Sequence, residues 1–167
     1  MVIEFAEWLS TTSLHEAIQA ALWLTPLLQS IHIVMIAVVF VSVLMIVLRI
    51  YGKIRTDETF EQVYGRFSPW MWVGFVILAI TGVLLAIGEP VREATAFSFW
   101  LKMALIVVGL ASVSYFHRAL AGHRGTEFPS GIKVAAGITL AVWIFIIFLG
   151  RAIAYDTQVW GSLSFAA

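Results

Sequence analysis

IVMIAVVFVSVLMIVL, residues 33–48, is the stretch that decides the fold, because only Ser42 interrupts its apolar side chains. Extended back to Pro26, the run reaches roughly the 20 residues with which a helix spans a bilayer core. Three similar runs follow. An open chain can satisfy its backbone groups in lipid only as helices. The sequence therefore predicts an all-α membrane protein, a bundle of four transmembrane helices with spans at about 26–48, 70–88, 99–116 and 132–150.

The composition supports this prediction. Hydrophobic residues make up 61% of the 167 positions and charged residues 12%, against roughly 45–50% and about 25% in soluble domains. One transmembrane domain, residues 1–167, is expected at this length. The zero net charge argues against a nucleic-acid partner. The expected partners are the lipid bilayer and either another membrane protein or a second copy of the chain.

The missing residue types and motifs narrow the chemistry. The chain has no cysteine, so disulfides, thiolate metal sites and thiol nucleophiles are excluded. Histidine, carboxylate or methionine must supply any metal ligand. The chain also lacks a phosphate loop, a Gly-x-Ser-x-Gly motif and a His-Glu-x-x-His motif. Hydrolytic and nucleotide-driven functions lose support, and whether the protein is an enzyme is left open.

The segments outside the spans predict smaller elements. The N-terminus has two acids and no basic residue, so we expect it to stay in the mature protein rather than act as a cleaved signal. A capping box on Ser13 and Glu16 predicts an interfacial amphipathic helix before the first span. Pro26 permits a bend there, and the pattern leaves open whether the helix continues through it. Linker 49–68 predicts a short surface helix, and linker 117–131 a flexible turn.

The basic residues predict the orientation. Seven lysines and arginines flank one end of the predicted spans, and three flank the other. The positive-inside rule places the first set in the cytoplasm. In a bacterial inner membrane both termini would then be periplasmic. The first set is Arg49, Lys53, Arg55, Arg66, Arg118, Arg124 and Lys133; the second is Arg92, Lys102 and Arg151.

Two ionisable side chains fall inside spans, where they cost roughly 2.5–3.5 kcal/mol each and therefore suggest function. His32 lies about 9 Å, and Lys102 about 8 Å, to the periplasmic side of the membrane centre, from the helical rise of 1.5 Å per residue. Arg151 and Tyr155 come just past the fourth span, from where they can fold over the same position. These four residues form a candidate polar pocket. The plain alternatives are a hydrogen-bonded histidine, a snorkelling lysine, a helix-end arginine and an interfacial tyrosine.

Histidine also raises the question of b-type haem. His117 lies at the opposite end of the third span, about 23 Å from His32 along the membrane normal at 1.5 Å per residue. The two axial ligands of one iron share a level, so His32 and His117 do not hold one haem. Met103, or His15 folded over from the interfacial helix, remains a candidate second ligand for His32. His117 is the weaker metal candidate, and an interfacial position is its plain alternative.

A set of short motifs lies along most of the chain. They are Ala17-Ile-Gln19, Leu22-Trp23, Ser30-Ile-His32, Leu48-Arg49, Gly52, Pro69-Trp70-Met-Trp72-Val-Gly74-Phe75, Thr81-Gly82, Lys102-Met103, Phe116-His117 and Gly150-Arg151-Ala-Ile-Ala-Tyr155. With these motifs the chain resembles a bacterial family of small four-helix membrane proteins of unknown function. The chain departs from the family pattern before Arg49, where an acid would be expected and this chain has Val47. The resemblance implies four helices and points to His32, Lys102, His117, Arg151 and Tyr155, without an established activity.

Three functional hypotheses follow. The first is a redox or cofactor role, with b-type haem or quinone bound at His32. In that hypothesis Lys102 and Arg151 hold propionates or a quinone oxygen, and Tyr155 donates a hydrogen bond. The second is transport of a small solute or handling of copper through His32, Met35 and Met103. The third is an accessory subunit that packs on a larger membrane complex through its aromatic faces.

Overall fold

The computed structural model of the chain describes residues 1–120 and 127–165. Within these ranges the regular structure is helical, and α3, α4, α6 and α7 are long and apolar enough to cross a membrane. The predicted all-α four-helix membrane bundle is confirmed. The helices are α1 (Val2–Ser10), α2 (Ser13–Ala20), α3 (Leu24–Ile50), α4 (Phe60–Gly88), α5 (Pro90–Thr95), α6 (Phe97–Leu120), α7 (Ser130–Ala152) and α8 (Asp156–Trp160).

The four long helices form two pairs. α3 packs along α4 and α6 packs along α7, while α3 also contacts α7. α4 and α6 make only slight contact. Each predicted span lies inside one of these helices. The short helices α1, α2, α5 and α8 gather at the end of the bundle that carries both termini.

The first linker differs from its prediction. Residues 60–68 do not form a separate surface helix, because α4 begins at Phe60 and continues through Pro69. Thr59 and Gln62 start the helix as a capping box, with the Gln62 side-chain oxygen 2.8 Å from the Thr59 backbone nitrogen. The helix accepts the loss of one backbone donor at Pro69. In the second predicted linker, α6 reaches Leu120, and residues 121–126 lie outside the described residues.

The N-terminal segment forms its helix with a different cap. Thr12, rather than Ser13, is the N-cap of α2, and its hydroxyl accepts from the His15 backbone nitrogen at 3.4 Å. The predicted pairing of Ser13 with Glu16 is therefore wrong. α2 and α3 are separate helices, and Pro26 lies in the first turn of α3. A proline costs little there, because its missing N–H would have no helical acceptor.

The bundle has a packed half and an open half. The packed half, residues 39–50 of α3, 60–74 of α4 and 109–120 of α6, contains most of the buried core, including Val43, Ile46 and Phe116. The open half comprises residues 29–38, 75–87 and 99–108 of the same helices. No residue of 29–38 or 99–108 is buried, and Thr81 alone is buried in 75–87. The predicted polar residues of the spans, His32 and Lys102, both lie in the open half.

Candidate functional site

The imidazole of His32 lies half-buried against α4. Its Nδ1 is 2.7 Å from the hydroxyl oxygen of Thr81. Thr81 is buried, and its hydroxyl donates to the Ile77 carbonyl at 2.8 Å. Gly82 leaves room beside the ring, since a Cβ there would lie 3.4 Å from His32 Cε1. α4 therefore supplies both a polar partner and a gap for this histidine.

This hydrogen-bond chain determines which ring nitrogen carries the proton. Thr81 has one hydroxyl proton, and it is used in the hydrogen bond that the hydroxyl donates to the Ile77 carbonyl. The hydroxyl oxygen must then accept, so Nδ1 of His32 is the donor. In the neutral ring Nε2 keeps its lone pair. Metal-bound histidines commonly have this arrangement, with one nitrogen on the metal and the other donating to a protein group.

Lys102 comes to the same region from α6. Its side chain is half-buried, and its Nζ lies 5.6 Å from the centroid of the Phe99 ring. We expect electrostatic coupling of the ammonium to His32 and to Glu93. An imidazole on α3 and a cation on α6 thus lie in the same half of the bundle.

Glu93 on α5 is an acidic neighbour that sequence reasoning did not select. One carboxylate oxygen lies 3.8 Å from Arg92 Nη2, and 15% of the side chain is exposed. Burial raises the pKa of Glu93, and the Lys102 and Arg92 cations partly offset the rise, while Glu89 adds to it. An acid at this position complements the Lys102 charge. Its sequence signal was weak, because Arg92 and Glu89 surround it in an ordinary charged linker.

The two methionines that could serve as soft ligands differ in exposure. Met103 is 38% exposed on α6, whereas Met35 is half-buried on α3. Within residues 1–120 and 127–165, no three His, Asp or Glu side chains converge as a metal-binding group.

Arg151 and Tyr155 lie together beside α7 and α8. Arg151 Nη2 is 3.5 Å from the Tyr155 hydroxyl, and the guanidinium carbon is 5.4 Å from the ring centroid. Both side chains are exposed and border a groove of about 440 Å³ along α7 and α8. The structure thus brings these two of the four predicted pocket residues into direct contact.

The other two histidines have local contacts. The ring of His117 stacks on Tyr64 with centroids 4.4 Å apart, and its Nε2 is 3.7 Å from a carboxylate oxygen of Glu61. His15 Nδ1 lies 2.8 Å from the Ile87 carbonyl at the end of α4. There its ring N–H satisfies a helix C-terminal carbonyl. His15 therefore binds the α4 terminus in this structure rather than turning toward His32.

Arg49 has a structural role that the sequence did not predict. The side chain is completely buried, and Nε and Nη2 donate to the Glu58 backbone carbonyl at 2.9 and 2.7 Å. The guanidinium carbon also lies 5.3 Å from the centroid of the Phe128 ring. A backbone carbonyl and an aromatic face thus both contact the guanidinium. Only the folded structure could show these two contacts, because the path of the chain brings Glu58 and Phe128 to Arg49.

Comparisons with known proteins agree with this structure. A family profile described as a family of unknown function, DUF6644, matches residues 5–156, nearly the whole chain. The chain belongs to this family, which confirms the resemblance seen in its motifs. Searches of curated proteins and of solved structures give no significant match. The family and the four apolar helices together identify a multi-pass membrane protein family without an assigned activity.

Proposed function

We propose that this membrane protein has a redox role and binds b-type haem through Nε2 of His32. The observation that carries the proposal is the chain from His32 to Thr81 to the Ile77 carbonyl. It leaves the outer nitrogen of a half-buried imidazole free as a ligand. Haem would supply the electron-accepting iron. The protein would supply the axial nitrogen and orient its ring.

Lys102 supports a cofactor that carries negative charge. An ammonium within range of His32 would repel a bare metal cation but attract a haem propionate. This charge, together with the outward position of Met103, favours haem over the alternative of copper handling. Arg151 and Tyr155 were predicted as further cofactor contacts. In this proposal the cofactor contacts are His32 and Lys102, and Thr81 orients the His32 ring.

Quinone binding is the second candidate. The His32 imidazole beside Thr81 is a group that a quinone site can use without a second ligand. Nε2 of His32 would accept a hydrogen bond from a quinol hydroxyl, and Lys102 would donate to a quinone oxygen. The same residues thus serve either cofactor. A visible spectrum separates the two, since only haem absorbs strongly there.

We place the protein in a bacterial inner membrane with both termini periplasmic. The lysine and arginine distribution supports this orientation, because the loop between α3 and α4 holds Lys53 and Arg55, and Arg66 lies in the first part of α4. The site would then lie in the periplasmic half of the bilayer. The exposed apolar surface of the bundle contacts lipid, and an accessory role on a larger complex would use part of that surface.

The deciding experiment is the visible spectrum of the protein purified in mild detergent after expression with ample haem. We expect a Soret band, with α and β bands after dithionite reduction. His32→Ala should remove these bands. Thr81→Val should weaken haem binding by about 10–100-fold, because it removes the group that orients the ring. Thr81→Ser keeps the hydroxyl and should bind like wild type, as should His117→Ala.

Two outcomes would contradict the haem proposal. One is a colourless wild-type protein under these conditions, and the other is haem retained by His32→Ala. The quinone candidate then has its own test, quenching of tryptophan fluorescence by added decylubiquinone. Saturable quenching that Lys102→Gln and His32→Ala both weaken supports it. Quenching that is equal in all three proteins rejects it.

A further inference from the structure

A second surface of the protein carries a cation at the end of an apolar groove. The groove, about 440 Å³, runs along α7 and α8, with Phe145, Phe148, Ala152 and Val159 in its walls. Arg151 and Tyr155 also line it. Its position beside the fourth apolar span puts the walls at the level of lipid chains. The two polar residues come just after that span, at the level of the headgroups.

Arg151 has no carboxylate partner among the described residues. The nearby acid Asp156 is buried, and its two oxygens accept the backbone N–H groups of Phe97 and Ser98 at 2.9 Å. Arg151 instead contacts the hydroxyl and the ring of Tyr155. Those contacts hold the guanidinium beside the groove and leave its charge uncompensated. Guanidinium N–H groups match the geometry of phosphate oxygens.

We propose that this groove binds one anionic phospholipid, with an acyl chain along the apolar walls and the phosphate on Arg151 and Tyr155. The charge of Arg151 selects an anionic headgroup over a zwitterionic one. The length of apolar wall leading to the cation selects a lipid over a free phosphate. This site is separate from the His32 region and does not depend on the proposed redox role.

Native mass spectrometry tests the site directly. The detergent-solubilised protein is mixed with equimolar phosphatidylglycerol and phosphatidylcholine that have the same acyl chains. Wild type should retain phosphatidylglycerol about five-fold over phosphatidylcholine, the factor that corresponds to about 1 kcal/mol for one interfacial cation. Arg151→Gln should remove this preference. Lys133→Gln deletes the same charge near the other end of α7 and should keep it.

The groove itself is tested by filling it. Ala152→Phe places a large side chain among the walls and should reduce retention of both lipids while Arg151 stays intact. Ala141→Phe adds the same side chain at an exposed position earlier on α7 and should leave retention unchanged. Thermal unfolding of every variant shows whether the fold is preserved. His32→Ala should retain phosphatidylglycerol, which separates this test from the redox proposal.

Three results would overturn the lipid site. Equal retention of the two lipids by wild type would indicate an unselective apolar surface. Equal losses in Arg151→Gln and Lys133→Gln would indicate general charge attraction. Displacement of phosphatidylglycerol by millimolar glycerol 3-phosphate would indicate a site for a free phosphate rather than for a lipid.

Discussion

The packed half and the open half of the bundle are stabilised differently. In the packed half, side chains from α3, α4, α6 and α7 interdigitate into one buried core. In the open half, segments at the helix ends supply hydrogen bonds: Gln19 donates to the Gly88 carbonyl at 2.5 Å, and Asp156 accepts from the first turn of α6. The difference indicates that core packing can stabilise one end of a membrane bundle while hydrogen-bonded helix caps stabilise the other end. The half with fewer buried side chains can then hold a polar site.

The largest expected effect tests the packed half at Arg49. Arg49→Leu removes two donors from the Glu58 carbonyl in a fully buried position. We expect the free energy of unfolding to fall by about 3 kcal/mol, because the Glu58 carbonyl loses two hydrogen bonds from a charged donor. Denaturant unfolding in detergent micelles measures it. Arg118→Gln, at an exposed position of α6, should change stability little; equal effects would contradict the assigned role.

Two glycines of α4 compare the halves directly. A Cβ on Gly74, in the packed half, would lie 2.9 Å from Cγ2 of Val39, a stiff side chain. Gly74→Ala should therefore cost about 1–3 kcal/mol through overpacking. In Gly82→Ala the new Cβ would lie 3.4 Å from Cε1 of His32. We therefore expect the intrinsic helix preference of alanine to dominate and to stabilise the variant by up to about 1 kcal/mol. Thermal unfolding in detergent compares the stability of the two variants. Equal destabilisation would argue against an open half.

The caps of the open half are tested at Asp156. Its carboxylate accepts from the N–H groups of Phe97 and Ser98, which otherwise lack helical partners. Asp156→Ala should destabilise the protein by about 1–2 kcal/mol. Hydrogen exchange should localise the loss to the first turn of α6. Asp156→Asn keeps one acceptor oxygen and should cost less, and exchange that rises uniformly along α6 would contradict a capping role.

The smallest expected effect is the pH dependence at Glu93. Burial raises the pKa of this carboxyl above its ordinary value of 4.5. The folded state therefore binds a proton more tightly than the unfolded state, and stability should fall as pH rises from 4.5 through the raised pKa. Melting temperatures between pH 4 and pH 7 should show this decline in wild type. Glu93→Gln should flatten that part of the curve, and an unchanged curve would contradict the assignment.

The polar residues show what a count along the helices leaves open. Counting residues gave His32 and Lys102 similar depths, because helical rise is nearly constant. Rotation about each axis is set by packing, and α3 is apolar on every side, so its sequence has no polar stripe to mark the inner face. The structure turns His32 toward Thr81, and it pairs Arg151 with Tyr155 beside the groove on α7 and α8.

The sequence by itself determined the membrane class, the four long helices and the family. These follow from local hydropathy and from the need to satisfy every backbone group within lipid. Tertiary structure alone decided that residues 60–68 join α4, that Arg49 binds the Glu58 carbonyl, and that Thr81 orients His32. Each of these depends on the packing of distant segments, since a side chain's partners are set by helix rotation and loop path rather than by its neighbours in the chain.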